Sequence, residues 1–388
     1  MSATPDDRPL TLPAAPRSGP SLSRDRERCE ARLSVDLDAL GANYALLLKE
    51  ARGAEIAPVV KADAYGLGAA EIAARLHIDG ARSFFVARVA EGEALRAALR
   101  TRPAAIYVLD GAPPGAARRL QAADLTPVLN SLAQAEEWSA HARGGPLSPA
   151  ALHVDTGMNR LGLTLPEAEA LAAAPGRLDR LKIELVMSHL ACAEDVGSPM
   201  NARQQTAFRH IRGLFPDARA SLANSAGVFL GDDYLFSMAR PGITLYGGGP
   251  RGRVDARVRA VATLEAPILQ VRDAIVGQTV GYGGVYKVER PMHIAVLAAG
   301  YADGYLRTGS PAGYAVLRGH RCALLGRVSM DLIAIDVTEV SAAAGDLVQL
   351  LGPELPLDEA AAAAGTIAYE LLVRLSSRAA RRYVGRPG

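Results

Sequence analysis

Eight short apolar runs, separated by stretches of helical periodicity, constrain this chain more than any other feature. They lie at 56–60 (IAPVV), 83–87 (SFFVA), 105–109 (AIYVL), 125–129 (LTPVL), 151–155 (ALHVD), 183–188 (IELVMS), 220–224 (ASLAN) and 236–240 (FSMAR). Between them the spacing is helical; in residues 203–215, Phe208, Ile211, Leu214 and Phe215 share a face. Strand and helix alternating eight times is the pattern of a parallel (β/α)8 barrel of the TIM type. An open doubly wound sheet is the alternative.

A ninth strand-like run, Arg32 to Asp36, is left over ahead of a helix with Leu40, Tyr44, Leu47 and Leu48 on one face. After Tyr246 and a GGG turn the texture changes. Residues 259–351 carry short β-rich runs with glycine-containing turns, and a helical stretch follows near 357–375. At 388 residues the chain exceeds the usual single core. The reading is therefore an α/β protein: a disordered tail over 1–30, an N-terminal barrel over 31–250, and a C-terminal mostly-β domain over 251–388.

With 43 basic and 41 acidic residues the net charge is +2. Such balance gives no electrostatic reason to expect nucleic acid or a membrane surface as partner. No apolar run is long enough for a membrane helix, and the tail has no signal-peptide core, so a soluble cytoplasmic protein is expected. Cys29, Cys192 and Cys322 are scattered, in no CxxC spacing. They read as free thiols in a reducing compartment, and no metal site is expected.

Barrel enzymes place their chemistry at the C-terminal ends of the strands. Lys61 stands there after the first run, Arg160 after the fifth, His189 after the sixth and Ser225 after the seventh, and Arg240 ends the eighth, followed by the Gly242–Ile243 turn. A buried ammonium is expensive, and a desolvated lysine becomes a Schiff-base nucleophile. Loops after strands seven and eight commonly bind phosphate. Alone, Lys61 reads as a strand-end lysine and His189 as a structural histidine. One lysine, two arginines, a histidine and a phosphate cradle on one rim point together to pyridoxal 5'-phosphate.

The blocks VVKADAYGLG, VDTGMNRLG, MSHLACAED, LANSAG, ARPGITLYG, VGYGGVY, GYADGYLR, GRVSMDLIAIDV and AYELLVRLSSRAARRY occur in order from about Arg32 to Tyr383. In these the sequence resembles the alanine racemase family of barrel-type pyridoxal-phosphate enzymes. The resemblance implies that Lys61 carries the cofactor, and that Tyr65, Ser225, Gly242, Ile243 and Tyr369 hold its phosphate. It implies Arg160 at the phenolic oxygen and the substrate, and Arg240 at the ring nitrogen with His189 bonded to it. Tyr282 and the Met330 backbone N–H would come from the neighbouring subunit of a homodimer, Tyr282 opposing Lys61 and Met330 binding the substrate carboxylate. The leftover strand would belong to the β domain. The activity implied is interconversion of L- and D-alanine, supplying D-alanine for cell-wall peptidoglycan.

Physical chemistry supports these roles. An arginine that never gives up its proton keeps a facing ring nitrogen unprotonated and weakens the ring as an electron sink. That suits an enzyme that moves a single proton. Racemisation needs an acid and a base on opposite faces of the α-carbon, which Lys61 and Tyr282 would supply in alternation. A free tyrosine titrates near pH 10, so Tyr282 needs positive charge nearby, for which Arg307 is the candidate. The chain departs from the family in two places. Many members have a carbamylated lysine where this chain has His153, and a histidine where it has Leu67. A single-barrel cofactor carrier would lack the β domain and Tyr282. A barrel-type decarboxylase would need a catalytic cysteine, and Cys322 lies in an apolar strand context.

Overall fold

Strand β1 (Arg32–Asp36) stays outside the barrel. It pairs antiparallel with β10 (Ala262–Ala274) and parallel with β18 (Ala380–Val384), so the start of the chain is stitched into the sheet built by its end. Asp36 then caps the helix Leu37–Glu50, its Oδ1 accepting from the N–H groups of Asp38 at 2.8 Å and Ala39 at 2.9 Å. Leu40, Tyr44 and Leu47 are buried; Leu48, at the edge of the stripe, is exposed instead. The computed structural model describes residues 30–142, 147–309, 312–375 and 378–388. The tail expected at 1–30, with Cys29, lies outside these apart from Glu30.

Eight parallel strands form the barrel: β2 (Glu55–Ile56), β3 (Ser83–Val86), β4 (Ala105–Val108), β5 (Thr126–Leu129), β6 (Ser148–His153), β7 (Leu181–Met187), β8 (Arg219–Ser221) and β9 (Met238–Ala239). Their order is β2-β9-β8-β7-β6-β5-β4-β3, and a parallel bridge from Val59 to Phe85 brings the first strand back to β3. The open-sheet alternative is thereby set aside. All four residues of β3 are buried, as expected when helices cover one face and the barrel interior the other. The first strand is shorter than its apolar run because Pro58 has no N–H to donate. The ladder continues past it nonetheless: Phe85 N–H donates to Pro58 O and Val60 N–H to Phe85 O.

The second sheet is organised on β10. Its first part pairs with β17 (Leu347–Leu351) and its second with β13 (Met292–Leu297), the change of partner marked by register shifts near Leu264 and Ile268. β14 (Tyr314–Leu317), β15 (His320–Ala323) and β16 (Ile333–Asp336) complete it. A separate small hairpin, β11 (Thr279–Val280) and β12 (Tyr286–Lys287), carries Tyr282 in its connection. The stretch near 357–375 is two short helices, Leu357–Ala363 and Ala368–Arg374, divided at Gly365, whose φ is +68°. Cys192 and Cys322 are free thiols. Among the described residues no helix is long and apolar enough to cross a membrane.

Candidate active site

Beyond Val60 the chain makes a left-handed turn. Ala62, Asp63, Ala64 and Tyr65 have φ of +53°, +53°, +52° and +58°. Such backbone costs an L-residue about 1–2 kcal/mol each, so surrounding contacts must hold it. Ala64 N–H donates to Val60 O at 2.9 Å, and Gly66 N–H to Ala62 O at 2.8 Å. Ala62 N–H donates to Glu91 Oε1 at 3.0 Å, and Ala69 N–H to Asp63 Oδ1 at 2.8 Å. From the far end of the chain, Arg381 Nη2 donates to Gly66 O at 2.7 Å. Lys61 stands at the start of this turn, half-buried and within the field of Arg160. Desolvation, and then the positive charge of Arg160, push its amine below the ordinary lysine range. It is thus a better base near neutrality than a surface lysine.

Beside it, the loops after β8 and β9 come together. Ser225 Oγ accepts from Gly242 N–H at 2.9 Å and from Thr244 N–H at 3.4 Å. A Cβ placed on Gly242 would lie 2.1 Å from Tyr65 Oη, so only glycine lets the tyrosine hydroxyl reach this backbone. Tyr65 packs against Tyr369, ring centroids 6.0 Å apart, and Ile243 is buried behind. Burial holds both tyrosines protonated, as hydroxyl donors. Thr244 Oγ1 is buried with no partner among the described residues, an arrangement that costs about 1–3 kcal/mol unless something satisfies it. Hydroxyls, backbone N–H groups and an orphaned donor at one spot fit a phosphate group. All five residues expected around the phosphate are therefore neighbours.

Arg240 is buried deeper in the barrel. Nη1 donates to Ser221 Oγ and Nη2 to Ser188 O, the latter at 2.5 Å, and the guanidinium lies over the Phe85 ring. Burial lowers its pKa to about 9, so it remains cationic at pH 7. The expected bond from His189 to Arg240 is absent among the described residues; the guanidinium is held by neutral oxygens. His189 is held through its backbone, where its carbonyl accepts from Gln204 Nε2 at 2.8 Å. Desolvation and Arg240 push its imidazole well below the usual range. Arg160 sits on the exposed rim, in a loop folded around Asp155, whose Oδ1 accepts from Gly157 and Met158 N–H at 2.7 Å each. Its guanidinium makes no hydrogen bond among the described residues and is open to a ligand.

His153 has a defined tautomer. Asn130 Nδ2 donates to Leu109 O at 2.9 Å and Val128 O at 2.8 Å, leaving its Oδ1 to accept from His153 Nδ1 at 2.8 Å. Nδ1 therefore carries the proton and Nε2 a lone pair. Burial, then Arg240, lower its pKa to about 4. The unfolded chain binds this proton near pH 6.5 and the folded chain does not, so stability is unaffected above that pH and declines as the pH falls toward 4. The loss should reach about 1 kcal/mol at pH 5.5 and about 3 kcal/mol below pH 4. A His153→Asn protein should lack this component, seen as a smaller difference between thermal midpoints at pH 7.5 and 5.5. Equal differences in the two proteins would refute it.

Tyr282 and Met330 are not part of this constellation within one chain. They are 71% and 53% exposed on the β domain, and Tyr282 makes no hydrogen bond or ring contact among the described residues. Gly281, Gly283 and Gly284, with φ of +72°, +74° and +54°, fix the turn that presents it. Arg327, not singled out in the sequence, lies against that turn, its Nη1 3.1 Å from where a Cβ on Gly283 would stand. Its position in the GRVSMD block, close to Met330, was the available signal. Glu91, Asn130, Ser188, Ser221 and Arg381 are the other supporting residues that no local pattern revealed.

Comparison with known proteins places this geometry. The family model described as alanine racemase, N-terminal domain, matches residues 35–250, and that for the C-terminal domain matches 261–383. An alanine racemase of Methylobacterium sp. (strain 4-46) is 47% identical over 358 residues, 91% of this chain and 98% of the relative. A biosynthetic alanine racemase of Agrobacterium fabrum is 46% identical over 372 residues, 92% and 95% of the two chains. The crystal structure of alanine racemase from Bartonella henselae, with covalently bound pyridoxal phosphate, superposes with a TM-score of 0.87 at 37% identity, covering 92% of this chain and all of that one. That of the Streptomyces coelicolor A3(2) enzyme gives 0.88 at 33% identity, over 94% of this chain and 100% of its own. The chain therefore belongs to the alanine racemase family, the barrel-type pyridoxal-phosphate-dependent racemases.

Proposed function

We propose that this protein interconverts L- and D-alanine, with pyridoxal 5'-phosphate held on Lys61 and two opposed proton-transfer groups, Lys61 and Tyr282 of a second copy. The observation that carries the reading is the separation of these groups. Lys61 is half-buried at the barrel mouth with a lowered pKa, while Tyr282 is presented outward from the β domain. Within its own chain Tyr282 makes no hydrogen bond or ring contact among the described residues, and two copies facing each other would give each site one of each group. The exposed apolar residues Val285, Tyr301 and Leu332 lie on the same domain and suit such a contact.

Tyr65, Ser225, Gly242, Ile243 and Tyr369 would hold the phosphate, and Arg240 would meet the ring nitrogen while keeping its own proton. When bound, the cofactor withdraws electron density from the substrate α-carbon, so that its hydrogen can leave as a proton. Arg160 and the Met330 N–H would hold the carboxylate, fixing which face of the α-carbon meets which base. Lys61, with its amine below the ordinary range, takes a proton from one face. The Tyr282 hydroxyl delivers one to the other, and the reverse reaction exchanges the roles. His189, neutral beside Arg240, adds no competing charge. A cytoplasmic homodimer supplying D-alanine for peptidoglycan is the setting this reading implies.

The test is complementation. Lys61→Ala and Tyr282→Phe chains, each inactive alone, are mixed under conditions of demonstrated subunit exchange. Heterodimers contain one site with both groups intact, so activity should return to about a quarter of the unaltered level, from half the molecules having one site of two. No recovery despite exchange would show that the two groups do not meet across an interface.

A further inference from the structure

Met330 sits in a tight turn, closed by Ser329 N–H donating to Leu332 O at 3.0 Å. A neighbouring segment is laced to it: Tyr301 N–H donates to Ser329 O and Ala302 N–H to Met330 O, each at 3.0 Å. A Cβ on Gly300 would lie 2.3 Å from the Ser329 and Met330 carbonyl oxygens, so only glycine allows this approach. The segment is anchored by Asp303, 3% exposed, whose Oδ2 accepts from Gly300 N–H at 2.8 Å. Arg378 joins the two. Its Nε and Nη2 grip both oxygens of Asp303 at 2.7 and 2.5 Å, and its Nη1 reaches Asp331 Oδ1 at 2.5 Å. The two carboxylates hold the guanidinium above its ordinary range.

We propose that Arg378 is a positioning residue for the substrate carboxylate: it ties the exposed Asp331, the residue after Met330, to the buried Asp303, and so fixes where the Met330 N–H points. The proposal rests on the shared-site reading above. Met330 N–H has no partner among the described residues, so it is available to a ligand. A surface turn without side-chain ties samples several orientations, and a hydrogen bond offered in only some of them is weakened accordingly. A planar guanidinium gripping one carboxylate with two donors and a second with a third removes that freedom, which a lysine ammonium cannot do. The substrate carboxylate is unchanged while the α-proton moves. The interaction is thus equally strong before and during reaction, and its loss belongs in KM and not in kcat.

The experiment uses the full-length, cofactor-loaded protein. Arg378→Ala should raise KM for both alanine isomers roughly tenfold, as expected for a weakened hydrogen bond to a charged group, with kcat within about twofold. The inhibition constant of propionate, which offers the carboxylate without the amine, should rise by a similar factor. Arg378→Lys should restore only part of the loss, and Asp331→Asn should shift KM and the propionate constant in the same direction by less. An unchanged KM and propionate constant in folded Arg378→Ala overturns the proposal, as does a fall confined to kcat and cofactor content. If Arg378→Ala does not fold, Asp331→Asn decides by the same two constants. The shared-site reading is judged separately: near-normal racemisation by Tyr282→Phe sinks it, whereas the expected loss there with an unmoved Arg378→Ala sinks only the clamp.

Discussion

Lys61→Ala should fold normally, lose its covalent cofactor and racemise alanine at least about a thousandfold more slowly, since the variant lacks both the attachment point and one proton-transfer group. Misfolding is not the expected cause. The four residues with positive φ follow Lys61 and do not include it. Its ammonium makes no hydrogen bond among the described residues, and it sits desolvated near Arg160. Removing a cation from such a place leaves the turn's ties through Glu91, Asp63 and Arg381 intact, so the thermal midpoint should hold or rise slightly. Borohydride reduction of the unaltered yellow protein, followed by peptide mapping, should find the label on the peptide containing Lys61. Label on that same peptide in Lys61→Ala, or retained racemisation, would mean that another lysine serves.

The parts of the fold that were readable are those where one local property decides the outcome. SFFV announces a strand because both its faces are covered, leaving no polar alternation to blur it. ASLAN and FSMAR were harder, since β8 and β9 are only Arg219–Ser221 and Met238–Ala239, and the residues that follow leave the ladder to build the site. The rim residues were visible as polar groups at the ends of apolar runs, and Gly242 as a glycine after the Arg240–Pro241 pair. Handedness of the turn after Lys61 was not visible: DAYGLG signals a turn, but its left-handed course depends on Glu91 and Arg381, 29 and 315 residues from their partners. The bond partners of Arg240 likewise lie on other strands. The Ser221 hydroxyl and the Ser188 carbonyl are ordinary groups in sequence and meet Arg240 only because the barrel closes.

His153 shows the same limit from another side. Its place before DTGM identifies a departure from the family, but the sequence does not say what the imidazole does there. That follows from Asn130, whose amide is so engaged that one tautomer alone satisfies both groups. Tyr282 and Met330 were found only through the family blocks. Within a single chain they are exposed side chains on a β domain, and nothing in their local spacing distinguishes a surface tyrosine from one that enters a second copy's barrel.

Tyr282→Phe should lower racemisation by about 10²–10⁴ in both directions, the range for loss of a positioned acid–base group. The substitution keeps the ring and removes only the titrating oxygen. The turn is held by three glycines with positive φ and by Arg327, none of which depends on that hydroxyl, so the variant should retain cofactor and thermal midpoint. Both directions fall together because a full turnover uses one group to remove a proton and the other to return it. The partial reactions separate them. The family resemblance implies that lysine serves the D isomer and tyrosine the L isomer. Exchange of the α-hydrogen with solvent deuterium should therefore survive on D-alanine, through Lys61, and largely vanish on L-alanine. Mass spectrometry of each isomer after incubation reads this directly. Equal exchange on both isomers, or racemisation near the unaltered rate, would remove Tyr282 from the chemistry and require the second base to lie elsewhere on the rim.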